Sequence, residues 1–262
     1  MKMVEPILKL VRKTLSLKQR RALRIILAKI YPWSLSNLAL IYGSDKWGGH
    51  YYTEHYHEHF HKLRNKKVKI LEIGVGGYND PYYGGASLRM WKQYFPQGMI
   101  YSIDIYDKSP LQEDRIRIFK GSQEDEVFLR KVCNEVGPFD IIIDDGSHVV
   151  NHVRASFKTL FPLMKEGGIY AIEDTQSFYW PSLEGSSESL DGPMAPVSFF
   201  KNLTDCLNHQ EFELPDYVPS YFDKHIVAVH FYHNLVIICK GKNDEPSYPT
   251  NRVMDKIVTD EA

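Results

Sequence analysis

Cysteine is scarce and scattered. Among 262 residues only Cys133, Cys206 and Cys239 occur, an odd number without metal-ligand spacing, which speaks against a disulfide framework and against a zinc site. Long apolar runs are also missing. No stretch approaches the roughly 20 uninterrupted apolar residues of a membrane span, and the first residues lack the apolar core and small-residue cleavage site of a secretory leader. A cytoplasmic location is therefore expected. Charge of one sign is absent overall, the net value being -1, but Met1 to Ile30 holds nine Lys or Arg (Lys2, Lys9, Arg12, Lys13, Lys18, Arg20, Arg21, Arg24, Lys29) against Glu5 alone. No aromatic residue interleaves with those charges before Tyr31, so nucleic-acid binding is not expected.

With 43 % hydrophobic and 13 % aromatic residues, the chain can bury a full core and fits one large α/β domain plus an extension. Ile7, Leu10, Leu17, Leu23, Ile26, Leu27 and Ile30 recur at roughly helical spacing, which predicts a basic amphipathic helix or helix pair over residues 1–34, ahead of a domain over 35–262. Such a helix could lie on an anionic membrane surface. The favoured expectation is that its apolar stripe packs on the domain or on a second subunit, giving a homo-oligomer.

Strand-like runs at Val68 to Ile73, Met99 to Ile103, Ile116 to Phe119, Phe139 to Ile143 and Gly168 to Ile172 alternate with helical patterns at Ser87 to Tyr94, Glu124 to Glu135 and Val150 to Met164. That alternation predicts a parallel sheet with right-handed crossovers. Ile226 to Phe231 and Leu235 to Lys240, joined by Tyr232-His233-Asn234, predict a closing antiparallel hairpin. The fold class is thus α/β, a Rossmann-like seven-stranded, mostly parallel sheet with helices on both faces. Between strand five and the hairpin, Thr175 to Pro219 is long, begins near Tyr179-Trp180-Pro181 and contains a helical stretch, Val197 to Leu207. Its aromatic content and position predict a lid or substrate wall.

Two strands end in carboxylates, as Asp144-Asp145-Gly146-Ser147-His148 and as Glu173-Asp174. Ligands of open parallel sheets bind outside the carboxyl ends of the strands, so four acids and an imidazole should converge on one crevice. Their mutual repulsion would be relieved by a hard divalent cation bound through oxygen, with His148 as the base beside it. Either Asp144 or Asp145 can take the cation, the other facing a donor's amino group. At the other end of the crevice, Glu72-Ile73-Gly74-Val75-Gly76-Gly77 forms a glycine-rich turn. The loop Tyr78 to Gly85 delays the next helix, unlike the dinucleotide fingerprint, which disfavours a nicotinamide oxidoreductase. Asp104 closes strand two, where a carboxylate can hold ribose hydroxyls. Gly121, Ser122 and Gln123 follow strand three near an expected adenine, and Ser87 opens a helix whose N-terminus can meet a carboxylate. His50, His55, His57, His59 and His61 could chelate a transition metal, but their helix carries the stripe Tyr52, Tyr56, Phe60 and Leu63 and is expected to cover the donor pocket instead.

Five parallel units and a hairpin resemble the class I S-adenosylmethionine-dependent methyltransferases. Tyr42-Gly43-Ser44-Asp45-Lys46, the loop Leu71 to Trp91, Ile142 to His148, and Ile172-Glu173-Asp174 followed by Tyr179-Trp180-Pro181 resemble one branch of them, the metal-dependent sugar O-methyltransferases of macrolide biosynthesis. The likeness covers about Leu38 to Lys240. It implies S-adenosylmethionine and Mg2+ as cofactors, Asp145, Glu173 and Asp174 as metal ligands, and His148 as general base. It also implies that Glu72, Gly74, Gly76, Gly77, Tyr78, Ser87, Asp104, Gly121, Ser122 and Asp145 line the donor site, and that the acceptor is a sugar or glycosylated small molecule. A catechol or phenol would suit the same metal and carboxylates.

Overall fold

The computed structural model describes residues 4–8, 16–188, 190 and 195–246. Lys2, Lys9, Leu10, Arg12 and Lys13 of the basic stretch, and residues 189 and 191–194 of the long segment, lie outside them. Seven strands make one sheet: β1 (Lys69–Ile73), β2 (Met99–Asp104), β3 (Ile116–Lys120), β4 (Ile141–Asp144), β5 (Ile169–Glu173), β6 (Ile226–Tyr232) and β7 (Leu235–Lys240). Their order is β3-β2-β1-β4-β5-β7-β6. The first five run parallel, and β7 lies antiparallel between β5 and β6. This is the Rossmann-like sheet and closing hairpin that the alternation predicts. The strand order reverses between β1 and β4, which opens a crevice at the carboxyl ends of those two strands.

The central strands β1, β4 and β5 are buried on both faces, as parallel strands covered on two sides must be, whereas the edge strand β3 exposes Arg117 and Lys120. Ile70, Ile100, Ile141, Ile143 and Ala171 face one core, while Leu71, Ile73, Ile103, Ile142, Tyr170 and Ile172 face the other. The first core is covered by α1 (Leu17–Ile30), α2 (Leu35–Tyr42), α3 (Tyr52–Phe60) and α4 (Ala86–Tyr94). The second is covered by α5 (Glu126–Val136) and α6 (Val150–Leu160). The expected helix from Glu124 starts at Glu126, because the Asp125 side chain accepts from the Phe128 N–H at 3.0 Å and caps it. The expected helix to Met164 stops at Leu160. Pro162 has no N–H to continue it, and Phe161–Leu163 tightens into a 3-10 turn. Only Ser198–Lys201 of the Val197 to Leu207 stretch is α-helical, and Asn202–Glu211 continues as 3-10.

In α1 the apolar stripe divides. Leu27 and Ala28 are buried and Leu23 packs on the first core, but Ile26 and Ile30 are 54 % and 60 % exposed. Among the described residues no helix is long and apolar enough to cross a membrane.

Candidate active site

Parity along the strands decides which acids meet. Side chains alternate between faces with a period of two, so Glu72 follows Ile70, Asp145 follows Ile141 and Ile143, and Glu173 follows Ala171 toward the first core. Asp144 follows Ile142 toward the second. The structure accordingly groups Glu72, Asp145 and Glu173, with a carboxylate oxygen from each lying within 4.8 Å of the others. Asp144 is only 1 % exposed, and its carboxylate is taken by the Ser156 hydroxyl, the Gln123 amide at 3.1 Å and the Tyr170 hydroxyl at 3.3 Å. It supports the turn from beneath.

A lysine stands inside the acid trio. Helix α2 ends at Gly43, whose left-handed φ of 80° turns the chain so that its N–H bonds the Ala39 carbonyl at 2.7 Å. The next residues bring Lys46 over the sheet edge, fully buried. Its ammonium donates to Asp145 Oδ2 and Glu173 Oε1 at 2.7 Å each and pairs with Glu72 Oε1 at 3.2 Å. Burial alone would lower the Lys46 pKa, but Asp145, Glu173 and Glu72 outweigh it and raise it well above the ordinary value, so the ammonium is charged. Three acids share that one cation. Burial pushes Glu72 up to about 7 against the pull of Lys46, and burial with the Asp145 charge raises Glu173 as well.

Helix α3 supplies two hydroxyls one turn apart. Tyr56 donates to Glu173 Oε1 at 2.6 Å and Tyr52 to Asp174 Oδ1 at 2.7 Å. Asp174 adopts a left-handed conformation, φ 54° and ψ 38°, which Asp tolerates and which swings its carboxylate outward from the strand end. His148 is also left-handed, φ 58°. Its Nε2 lies 3.5 Å from Asp174 Oδ2 and 3.9 Å from Asp145 Oδ1. Each of these acids therefore has one oxygen tied inward, by Lys46 or Tyr52, and the other turned to the imidazole. His50, stacked on Tyr52 at 4.8 Å, reaches Asp174 Oδ1 at 3.4 Å from the opposite side.

The glycine-rich turn touches this cluster through its backbone. Gly74 has φ 94°, and a Cβ there would lie 2.2 Å from the Asp145 carbonyl oxygen, so only glycine lets β1 and the Asp145 turn approach each other. Gly74→Ala should destabilise the protein by about 2–4 kcal/mol and weaken binding of the donor product S-adenosylhomocysteine; urea unfolding and calorimetry measure both, and wild-type values would show that the close approach is dispensable. Gly76 and Gly77 have φ 76° and 80°, Tyr78 is 88 % exposed, and α4 begins only at Ala86. Asp104 is held by the Val75 N–H on Oδ2 at 3.0 Å and the Tyr106 N–H on Oδ1 at 2.9 Å. The Gly121 N–H bonds the Asp104 carbonyl at 2.8 Å, which places Gly121 and Ser122 beside it.

Other expected site residues serve the frame. Glu72 is fully buried and accepts from the Trp91 indole at 3.1 Å, and Ser87 is half-buried in the first turn of α4. Gln123 is 7 % exposed, and its oxygen accepts from the Ser147 N–H at 2.7 Å, so it ties Asp144 to the turn that carries His148. His152 turns away, bonding Ser147 at 3.0 Å and Glu124 at 2.9 Å. His59 of the histidine-rich helix, His230 of β6 and Cys239 of β7 each bring one possible ligand atom within 4.8 Å of the others. There the Tyr232 hydroxyl already bonds His59 Nε2 at 2.9 Å, and burial raises the Cys239 thiol pKa, as packing would produce. Trp91, Ser156 and Tyr170, and the grip of Lys46, Tyr52 and Tyr56, escaped the sequence reading. The i, i+4 spacing of the two tyrosines beside Tyr-Gly-Ser-Asp-Lys was the available signal.

No family model matches the chain. It is 47 % identical over 218 residues to the mycinamicin VI 2''-O-methyltransferase of Micromonospora griseorubida, covering 82 % of this chain and 55 % of that one. It is 47 % identical over 219 residues to the demethylmacrocin O-methyltransferase of Streptomyces fradiae, covering 82 % and 55 %. A tetracenomycin rhamnosyl 3'-O-methyltransferase of Streptomyces olivaceus matches at 44 % over 220 residues, covering 83 % and 56 %. In three dimensions it superposes with a TM-score of 0.82 at 44 % identity on the MycE methyltransferase of the mycinamycin pathway, solved with Mg and SAH, covering 87 % of this chain and 60 % of that one. The chain thus spans between half and two thirds of the length of these relatives. Over the matched residues, in sequence and in fold, it belongs to the family of these sugar O-methyltransferases.

Proposed function

We propose that the chain transfers a methyl group from S-adenosylmethionine to a hydroxyl of a sugar or glycosylated small molecule, with Asp145, Glu173 and Asp174 holding Mg2+ and His148 as the general base. The observation that carries this reading is the pairing of Asp145 Oδ1 and Asp174 Oδ2 around His148 Nε2, at 3.9 Å and 3.5 Å. The donor set fits the metal: carboxylate oxygens suit a hard cation, and Lys46 leaves Asp145 one oxygen that is not engaged by the ammonium. Support comes also from MycE, which was solved with Mg, SAH and mycinamycin VI and resembles this chain at a TM-score of 0.80 and 46 % identity.

A sugar hydroxyl is a poor nucleophile near neutral pH, and Mg2+ bound there would lower its pKa and fix its direction. The chain's own residues do the rest. His148 Nε2 accepts the hydroxyl proton, and Asp145 and Asp174 stabilise the imidazolium that forms. Asp104 would hold the donor ribose, with Gly121 and Ser122 near its adenine and the Gly74–Tyr78 turn along its length, so that oxygen, methyl carbon and sulfur lie in line. The buried Glu72, Gln123 and Asp144 would act through their neighbours, while the half-buried Ser87 at the start of α4 stands at the donor end of the crevice. On the acceptor side a cavity of about 290 Å3 begins at Thr175, the residue after Asp174, with Phe178, Tyr179, Phe231 and His233 in its wall. Aromatic walls interrupted by Thr175, Tyr232, His233 and Asn234 suit a sugar ring, which offers hydroxyls as well as an apolar face.

The test is transfer of labelled methyl from S-adenosylmethionine to 4-nitrophenyl α-L-rhamnoside and, in parallel, to catechol, with and without magnesium. Label should enter the rhamnoside in a magnesium-dependent manner. Transfer to catechol alone would reassign the acceptor, and full transfer after thorough chelation would remove the metal from the mechanism.

A further inference from the structure

A buried cation already sits where three of the acids converge. Glu72, Asp145 and Glu173 come from the ends of β1, β4 and β5, and Lys46 lies 99 and 127 residues from Asp145 and Glu173 in sequence, yet touches both at 2.7 Å. Such a trio without a counter-ion would itself attract a divalent cation, since its oxygens lie within 4.8 Å of one another. A second group of possible ligands, Asp145, His148 and Asp174, lies just outside and shares Asp145 with the first. The ammonium is locked by its own backbone, whose carbonyl accepts the Tyr52 N–H at 3.1 Å at the start of α3.

We propose that Lys46 is a positioning residue: its ammonium permanently occupies the inner acid trio, so that a divalent cation is confined to the outer side, against Asp145, Asp174 and the Glu173 oxygen that neither Lys46 nor Tyr56 engages, beside His148. The proposal rests on the metal-dependent reading above for the outer cation alone; the inner occupancy is a property of the folded chain. By holding Asp145 Oδ2, Lys46 turns Oδ1 toward the imidazole. By holding Glu173 Oε1 together with Tyr56, it fixes the strand end from which Asp174 projects. The segment Gly43 to Phe60, which precedes the sheet, thereby becomes part of the site.

Lys46→Met keeps the length of the side chain and removes the charge. In chelator its thermal midpoint should fall by roughly 10 °C relative to wild type, because the buried Glu72 and Glu173 and the half-buried Asp145 lose their partner. Saturating Mg2+ should raise that midpoint more in Lys46→Met than in wild type, as the vacated trio takes the cation. Methyl transfer should nevertheless stay about 100-fold or more below wild type, because the cation then sits away from His148. Adding Glu72→Gln to Lys46→Met should restore stability in chelator by removing one buried charge, and should yield folded protein if the single variant does not fold. A midpoint equal to wild type in chelator, no extra stabilisation by Mg2+, turnover restored by Mg2+, or a double variant no more stable than the single one would each overturn the proposal. If instead wild-type turnover survives chelation while the stability effects appear, the metal reading fails and the inner cation stands.

Discussion

His148→Ala is expected to lower methyl transfer by about 10²–10⁴-fold, the usual contribution of a positioned acid or base, while leaving affinity for S-adenosylhomocysteine within about twofold by the same logic. The expectation follows from what His148 touches. Its Nε2 faces Asp145 and Asp174 and bonds none of the groups on the glycine-rich turn, so its loss should be felt in turnover and not in donor binding. A non-glycine residue at φ 58° carries a conformational cost of about 1–3 kcal/mol, so alanine there should not gain stability. Turnover within a few-fold of wild type would remove His148 as the base, and a parallel loss of donor affinity would show that it orders the Asp-Asp-Gly-Ser turn instead.

Asp174→Asn should have an effect of similar size by another route. The amide keeps the shape of the side chain and an oxygen for the Tyr52 hydroxyl, but it removes the charge from the group facing His148. Mn2+ used in place of Mg2+ should bind about 100-fold more weakly, since even groups that only support a metal ligand cost 10–100-fold when lost. Turnover should fall at least as far, and excess metal should recover part of it. Paramagnetic resonance counts free Mn2+ directly, so affinity and rate separate in one preparation. Unchanged Mn2+ affinity would place the cation elsewhere.

The sheet was legible because its central strands are apolar runs punctuated by acids and glycines, the pattern of parallel strands covered on both faces. The hairpin was legible from two apolar runs and a three-residue turn. The choice between Asp144 and Asp145 was left open, although parity with Ile141, Ile142 and Ile143 decides which face each takes; the sequence carried the answer only once the strand register was known. Gln123 follows a strand that closes the donor crevice, yet its amide is spent on Asp144 and Ser147, a pairing across 21 and 24 residues that local spacing does not encode. Lys46 was harder still. Nothing in Ser44-Asp45-Lys46 marks a buried ammonium, because its partners are supplied by strands far along the chain. The basic helix places Leu23 and Leu27 on the first core and turns Ile26 and Ile30 outward, a division that its spacing alone does not encode.

The central claim is that Asp145, Glu173 and Asp174 hold one divalent cation beside His148. A crystal grown with Mn2+ and S-adenosylhomocysteine tests it most directly, by the anomalous signal of the metal. A single peak on the outer side, within coordination distance of the carboxylates of Asp145, Glu173 and Asp174 and next to His148, is the result expected; a peak at another place, or none at a Mn2+ concentration that supports full turnover, would contradict it.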